Sequence, residues 1–120
     1  MESKLCILVC GGRDHDDPEF IYDYLDELNE TYGIIALVHG DAKGADRIAG
    51  EWARTHRVKE IACPADWAGL GRKAGPIRNQ YMLDNHKIDL VVAFKGGRGT
   101  AGMVKKALAA GLEVLEPEGD

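Results

Sequence analysis

The sequence predicts an α/β fold: a three-layer, Rossmann-like domain built on a parallel sheet of five strands. Short apolar segments with the composition of buried strands alternate with longer segments whose apolar residues recur at helical spacing. Glycine-rich turns directly follow three of the predicted strands. Because such alternation favours a parallel sheet with helices on both faces, we expect Rossmann-like winding with the strand order 3-2-1-4-5.

Local patterns locate the individual elements. We expect strands at residues 5–9, 34–38, 58–62 and 90–94, and an edge strand at 112–115. Asp17 is a good N-cap for the first helix, which has Pro18 at its first position and ends at Gly33. The second helix has one apolar face, on which Trp52 is expected to belong to the core.

One long stretch, residues 63–75, is predicted to be irregular, and loops of this length are usually functional or mobile. Pro76 is expected to start the third helix, which runs to about His86. Tyr81 and Met82 give that helix extra apolar residues. Because twofold dimers are the commonest closed assembly, we expect a homodimer that buries this surface.

The composition is that of an ordinary globular protein. The chain has 120 residues, of which 45% are hydrophobic and 29% charged, and its net charge is −5. This length suits one domain, so we expect residues 1–120 to form a single unit. The acidic charge argues against a protein that coats nucleic acid through bulk electrostatics.

Further features of the sequence indicate the cellular compartment of the protein. No apolar run approaches the ~20 residues of a membrane span, and the run near the start is too short for a secretory signal. The number of cysteines, 3, is odd, which favours free thiols in a reducing compartment. We therefore expect a cytoplasmic protein without a membrane partner. The scattered histidines and the lack of CxxC or HExxH predict neither a metal site nor a cofactor.

Three glycine-rich turns carry most of the predicted ligand-binding residues. These are Gly11, Gly12, Arg13, His39, Gly40, Gly44, Asp46, Lys95, Gly96, Gly97, Arg98, Gly99 and Thr100. Glycine lets the backbone approach a phosphate, and the free N–H groups of a first helical turn point toward it. The turn at 96–100 is the main candidate phosphate site. For each turn, a tight connection that binds nothing is the alternative.

Basic residues are concentrated around the same turns. They are Arg13, Lys43, Arg47, Arg72, Lys73, Arg78, Lys95 and Arg98. Because the loops that follow parallel strands share one edge of the sheet, these side chains should form a basic rim there. Such a rim suits a small ligand that carries phosphates, whereas loops that are merely polar are the alternative.

Four side chains have competing interpretations. Arg78, near the start of the third helix, suggests an anionic partner, or else a surface salt bridge. Asp46 could bind ribose hydroxyls or act as an acid, or it could only complement the dipole of the second helix. Trp67 could stack on a base or pack within its loop. His39 could face a ligand or be a structural histidine.

Five motifs in order resemble a known family. They lie at residues 11–17, 39–46, 64–67, 74–79, which includes Asn79, and 96–100. The pattern is similar to the YspA-related branch of the SLOG (SMF/DprA-LOG) superfamily, small proteins of bacteria and phages. The resemblance covers nearly the whole chain. It implies a single SLOG-like nucleotide-binding domain in which these motifs hold a nucleotide or a nucleotide-derived ligand.

More distantly, the chain resembles the LOG phosphoribohydrolases, which cleave the base from nucleoside monophosphates. Arg78 and Met82 match part of their Arg-Lys-x-x-Met motif, and residues 96–100 match their glycine turn. Lys95 stands where they have proline, and Met103 stands where they have the catalytic glutamate. Methionine can neither move a proton nor stabilise an oxocarbenium ion.

These observations leave several hypotheses about function. The leading one is a sensor or sequestering module for a mononucleotide or for an NAD- or ADP-ribose-like molecule. A second is a nucleotide N-glycosidic hydrolase with Arg78 and Asp46 as candidate catalytic residues. A third is a dinucleotide (NAD) binding domain, because Gly97 begins a GxGxxG pattern and Glu116 lies near its acidic position. Single-stranded DNA binding, as in DprA proteins, conflicts with the acidic charge.

Overall fold

The computed structural model describes residues 4–118 and contains a five-stranded sheet. Its strand order is β3-β2-β1-β4-β5, and all four pairs of neighbouring strands are parallel. The strands are β1 (Leu5–Cys10), β2 (Ile34–His39), β3 (Lys59–Ala62), β4 (Leu90–Ala93) and β5 (Val114–Leu115). The predicted α/β class, parallel sheet and strand order are therefore confirmed.

Five α-helices and one 3₁₀ turn connect the strands. They are α1 (Pro18–Tyr32), α2 (Ala45–Thr55), α3 (Trp67–Leu70), the 3₁₀ turn Gly71–Lys73, α4 (Ala74–Asn85) and α5 (Arg98–Ala109). The start of α1 follows the predicted signal, because the Asp17 side chain accepts a hydrogen bond from the N–H of Phe20 and Pro18 comes next. Within residues 4–118, no helix is long and apolar enough to span a membrane.

The helices cover the two faces of the sheet, and alternate strand residues contribute to two cores. One core contains side chains of α1 and α2, including the fully buried Trp52, whose Nε1 donates to Asp26 Oδ1 at 2.8 Å. The other contains Met82 of α4 and Met103 of α5. The expected core position of Trp52 is confirmed.

Two details of the sequence prediction were wrong. Residues 63–75 are not irregular throughout: Asp66 caps α3 by accepting a hydrogen bond from the N–H of Gly69, and α4 starts at Ala74. Pro76 is the third residue of α4, where the helix needs no N–H donor. In addition, Met82 is only 2% exposed and packs in the core, so it adds nothing to an outer surface.

Candidate functional site

An open cleft of about 1670 Å³ is lined by the turns that follow β1, β2, β3 and β4. It lies at the switch point between β1 and β4, where open α/β sheets commonly bind ligands. Of the predicted site residues, it brings together Gly11, Gly12, Arg13, Gly40, Asp46, Trp67, Arg78, Asn79, Lys95, Gly96, Gly97, Arg98, Gly99 and Thr100. His39 and Gly44 do not line it.

The turn at 96–100 presents free backbone donors to the cleft. Gly97 is the N-cap of α5, and no side chain caps this helix. The N–H groups of residues 96–100 donate no hydrogen bond to any acceptor in the described part of the chain. A Cβ placed on Gly97 or Gly99 would meet no atom within 4 Å, so both positions face open space. Free donors at a helix N-terminus favour an anion.

The turn after β2 differs, because its donors are already used. The N–H groups of Gly40 and Ala42 donate to Asp46 Oδ2 at 3.1 and 3.2 Å. The N–H of Asp41 donates to His39 Nδ1 at 2.9 Å. This turn is therefore fixed from within and has no N–H group at residues 40–42 left for a phosphate.

The turn after β1 links its neighbours. The N–H of Gly12 donates to Lys95 O at 2.9 Å, and Gly12 O accepts from the N–H of Ala45 at 3.1 Å. A Cβ at Gly12 would lie only 2.9 Å from Lys95 O. Packing also explains other glycines, since side chains at Gly11, Gly40, Gly44 and Gly96 would clash with neighbouring groups. Close packing against neighbouring groups is therefore enough to account for glycine at these positions.

His39 has a structural role. The side chain is buried, and its Nε2 lies 2.7 Å from Glu60 Oε2. Because Nδ1 accepts from Asp41, the proton is on Nε2, which donates to Glu60. Gly50 of α2 passes close by, and a Cβ there would lie 2.7 Å from His39 Nε2. The second of the two interpretations of His39 therefore fits this geometry.

Asp46 is a buried carboxylate in the wall of the cleft. It is 5% exposed, and burial raises its pKa despite the opposing effects of the Ala42 N–H and the Arg78 guanidinium. Its Oδ2 caps the turn at 40–42, whereas its Oδ1 is buried without a hydrogen-bond partner between Lys4 and Glu118. Unsatisfied buried polar atoms are rare and are frequently functional.

Arg78 and Asn79 tie together loops that follow different strands. Arg78 Nη1 donates to the carbonyl of Gly40 and, at 3.4 Å, to that of Cys63, while its Nε donates to Asn79 Oδ1 at 3.0 Å. Asn79 Nδ2 in turn lies 3.4 Å from Gly99 O. Arg78 makes no salt bridge to a carboxylate of residues 4–118, and its contacts in this range are to two backbone carbonyls and to Asn79.

Trp67 lies at the edge of the cleft and is 54% exposed. Its indole lies over the start of α4, where a Cβ on Gly75 would come 3.2 Å from the ring. The tryptophan therefore packs within its own segment on one side and leaves apolar surface open on the other. Both interpretations made from the sequence are compatible with this arrangement.

Some residues of the cleft were not predicted from the sequence, and a third predicted residue, besides His39 and Gly44, lies outside it. Lys105 and Lys106 of α5 line the cleft, and helical spacing from Arg98 could have revealed them. Glu118 also lines it: its carboxylate lies 2.8 Å from His15 Nε2 and 3.4 Å from the N–H of Lys95. No local pattern predicts that contact. Lys73 does not line the cleft.

Comparison with known proteins agrees with the fold and the motifs. The model of the YspA, cpYpsA-related SLOG family matches residues 5–69. The chain is also 37% identical over 118 residues to the Gene 61 protein of Mycobacterium phage D29, covering 91% of this chain and 93% of the phage protein. The chain belongs to the YspA, cpYpsA-related SLOG family. The predicted resemblance to this SLOG branch is thus confirmed, and the relative is a phage protein.

Membership of the SLOG family supports a nucleotide-related ligand in general terms. The matched segment contains the turns after β1 and β2 but ends before Arg78 and the turn at 96–100. No solved structure is significantly similar to the chain. The specific properties of the cleft must therefore be argued from its own residues.

Proposed function

We propose that this protein is a single-domain binding module for a nucleotide or a nucleotide-derived ligand, such as a mononucleotide or an NAD- or ADP-ribose-like molecule. The ligand occupies the cleft between the turns of β1 and β4. Its phosphate meets the backbone N–H groups at 96–100 and the first turn of α5. The protein acts as a sensor or a sequestering module, and it does so in the cytoplasm.

The single observation that carries this proposal is the set of free donors at residues 96–100. The turn after β2 uses the N–H groups of residues 40–42 internally, and the turn after β1 commits that of Gly12 to Lys95 O. The N–H groups of residues 96–100 border the cleft and have no acceptor among residues 4–118. A phosphate offers enough acceptor oxygens to satisfy several of them together, and the positive end of the α5 dipole favours its charge. Lys95 and Arg98 flank the turn and strengthen that preference.

Three side chains extend the site beyond the phosphate. Arg78 has its Nη2 atom free of any partner among residues 4–118, so it can add a donor to the ligand without breaking an ion pair. The open side of Trp67 suits stacking against a base. The unsatisfied Oδ1 of Asp46 can accept a hydrogen bond from a ribose hydroxyl of the ligand, which gives this buried carboxylate a role in the wall of the cleft.

The test is a thermal-shift screen of the wild-type protein. Nucleoside mono-, di- and triphosphates, NAD and ADP-ribose are compared with the corresponding unphosphorylated nucleosides, and hits are measured by calorimetry. We expect at least one phosphate-bearing compound to raise the melting temperature, with an affinity that falls as salt rises. Equal shifts from unphosphorylated nucleosides, or no shift from any nucleotide, would contradict the proposal.

The same preparation tests the nucleic-acid alternative. The net charge of −5 favours small nucleotides over oligonucleotides. We expect negligible binding of a 20-mer of single-stranded DNA at physiological salt. A tight complex with that oligonucleotide would instead favour a DprA-like function.

A further inference from the structure

One face of helix α5 continues the cleft beyond the turn at 96–100. The cleft-lining residues of this helix include Arg98, Gly102, Lys105, Lys106 and Ala109. Their spacing of three or four residues places them on a single helical face. Met103 and Ala107, which are buried, lie on a neighbouring face that packs on the sheet. At 1.5 Å per residue, the lysines lie ~10 Å along the helix axis from Arg98.

Gly102 is unexpected in this helix. A glycine in a helix interior is destabilising relative to alanine, so it usually has a packing reason. Here a Cβ would meet no atom within 4 Å, and the residue has no positive φ. Packing within residues 4–118 therefore does not require the glycine, whereas a ligand lying close to the helix backbone would.

The cations on this face also have no ion-pair partner among residues 4–118. Neither Lys105 nor Lys106 forms a salt bridge or a hydrogen bond through its side chain to a residue in the described range. A lysine in the last turn complements the helix dipole, and Lys106 does so. That effect does not explain why both lysines border the cleft, on the same face as Arg98. Three cations on one face without a carboxylate are best explained by an anionic ligand.

We infer that Lys105 and Lys106 form a second anion subsite, so that the ligand lies along α5 with one phosphate at 96–100, its body over Gly102 and a second phosphate at the lysines. This inference rests on the proposed nucleotide function. The chemical class that fits is a nucleotide with two phosphates on different sides of its ribose, a nucleoside bisphosphate or a phosphodiester-linked dinucleotide. A nucleoside diphosphate, whose phosphates are adjacent, cannot reach both subsites with its phosphates.

The test compares probes with different phosphate placement. Calorimetry measures AMP, ADP and adenosine 3′,5′-bisphosphate, and the guanosine counterparts, on the wild type and on the double variant Lys105→Ala, Lys106→Ala. We expect the 3′,5′-bisphosphate to bind at least tenfold more tightly than the diphosphate of the same nucleoside. The double variant should lose this tenfold preference for the bisphosphate, while its affinity for the monophosphate stays within twofold of the wild-type value. Lys87→Ala, which removes an exposed lysine between α4 and β4 outside the cleft, is the matched control.

A second variant separates charge from shape. Gly102→Leu should raise the melting temperature, because leucine is the better helix former. It should nevertheless weaken binding of the bisphosphate, because its side chain obstructs the cleft. If the bisphosphate and the diphosphate bind equally, or if the double variant keeps the tenfold preference, the inference is overturned and the proposed function stands. If none of these nucleotides binds to the wild type, the inference is overturned, and the broader thermal-shift screen with NAD and ADP-ribose decides the proposed function separately.

Discussion

Arg78 donates a hydrogen bond from its guanidinium to the backbone carbonyl of Gly40, which joins the start of helix α4 to the end of strand β2. The next residue, Asn79, reaches Gly99 in the first turn of α5. These neighbouring side chains therefore connect the turn of β2, which is fixed from within, to the turn of β4, whose N–H groups at 96–100 have no acceptor among residues 4–118. The geometry of the candidate phosphate site depends on this connection.

Arg78→Ala is predicted to lose nucleotide binding as well as some stability. The arginine holds the Gly40 carbonyl and carries a charge into the cleft, so its removal affects both the shape and the potential of the site. Loss of the hydrogen bonds should lower the free energy of unfolding by ~1 kcal/mol. Arg78→Lys should keep most of the charge but not the planar geometry, and should bind with intermediate affinity. Urea denaturation and calorimetry measure the two effects, with Lys87→Ala as a control.

Gly97→Val is predicted to abolish nucleotide binding while the fold survives. The new side chain points into open space, since a Cβ at this position meets no atom within 4 Å, but it occupies the approach of a phosphate. Valine is a poorer N-cap than glycine, so we expect a loss of about 1 kcal/mol in stability. Gly96→Ala is the contrast, because its Cβ would lie 2.7 Å from the N–H nitrogen of Gly12 and should destabilise the protein. Unchanged affinity in a folded Gly97→Val protein would exclude this turn as the phosphate site.

Sequence patterns predicted the fold more completely than they predicted the contacts of the site. Capping at Asp17 and periodicity around Trp52 are local signals, and the strand order follows from general rules of α/β winding. The contacts of Asp66 and of Glu118 depend on the chain path. For example, the predicted irregular stretch missed α3, and no local pattern indicates that Glu118 contacts His15.

The glycine turns also show what residue spacing alone does not predict. In sequence, the turns after β1, β2 and β4 look alike, and each could hold a phosphate. The structure distinguishes the turns after β2 and β4. Asp46 and His39 accept from the N–H groups of residues 40–42, whereas those of residues 96–100 have no acceptor in the described part of the chain. Such differences arise from side chains that fold back on a turn, and residue spacing alone does not contain them.

Asp46→Asn is predicted to stabilise the protein at neutral pH. Burial raises the pKa of Asp46 above its ordinary value of 3.8, so the folded state binds a proton at this carboxyl group more tightly than the unfolded state does. The contribution of Asp46 to the free energy of unfolding is fully present below the ordinary pKa of the carboxyl group. It is lost as the pH rises through the raised pKa of the folded state. The neutral asparagine keeps an oxygen for Gly40 and Ala42 and avoids that loss. We expect a gain of about 1 kcal/mol at pH 7 and a smaller one at pH 4.

The measurement for Asp46 is urea denaturation of wild type and variant at both pH values, which cancels the titration of other groups. Asp23→Asn is the matched control, because Asp23 is exposed on α1 and should give no pH-dependent difference. A variant that is less stable than the wild type at pH 7 would show that the carboxylate charge is needed for the turn at 40–42.

A twofold dimer remains a prediction. The apolar surface of α4 that it would bury is smaller than the sequence indicated. Met82 is buried, but Ile77 and Tyr81 are exposed one turn apart on α4, and Leu70 of α3 is exposed as well. Light scattering at micromolar concentration should give about twice the 13.1 kDa of one chain. Tyr81→Glu should shift the protein toward the monomer, whereas Tyr32→Glu, an exposed tyrosine at the end of α1, should not. A monomeric wild type would refute the prediction.

The last prediction is that hydrolysis of common nucleoside monophosphates is slow or absent. Glycosidic cleavage needs a group that stabilises the sugar cation and an acid or base near the bond. Met103, at the position of the LOG glutamate, is 1% exposed and packs in the core. Chromatography after incubation should therefore recover intact nucleotide. Release of base at ~1 per second or faster would show that the protein is an enzyme, with Asp46 the first carboxylate to replace.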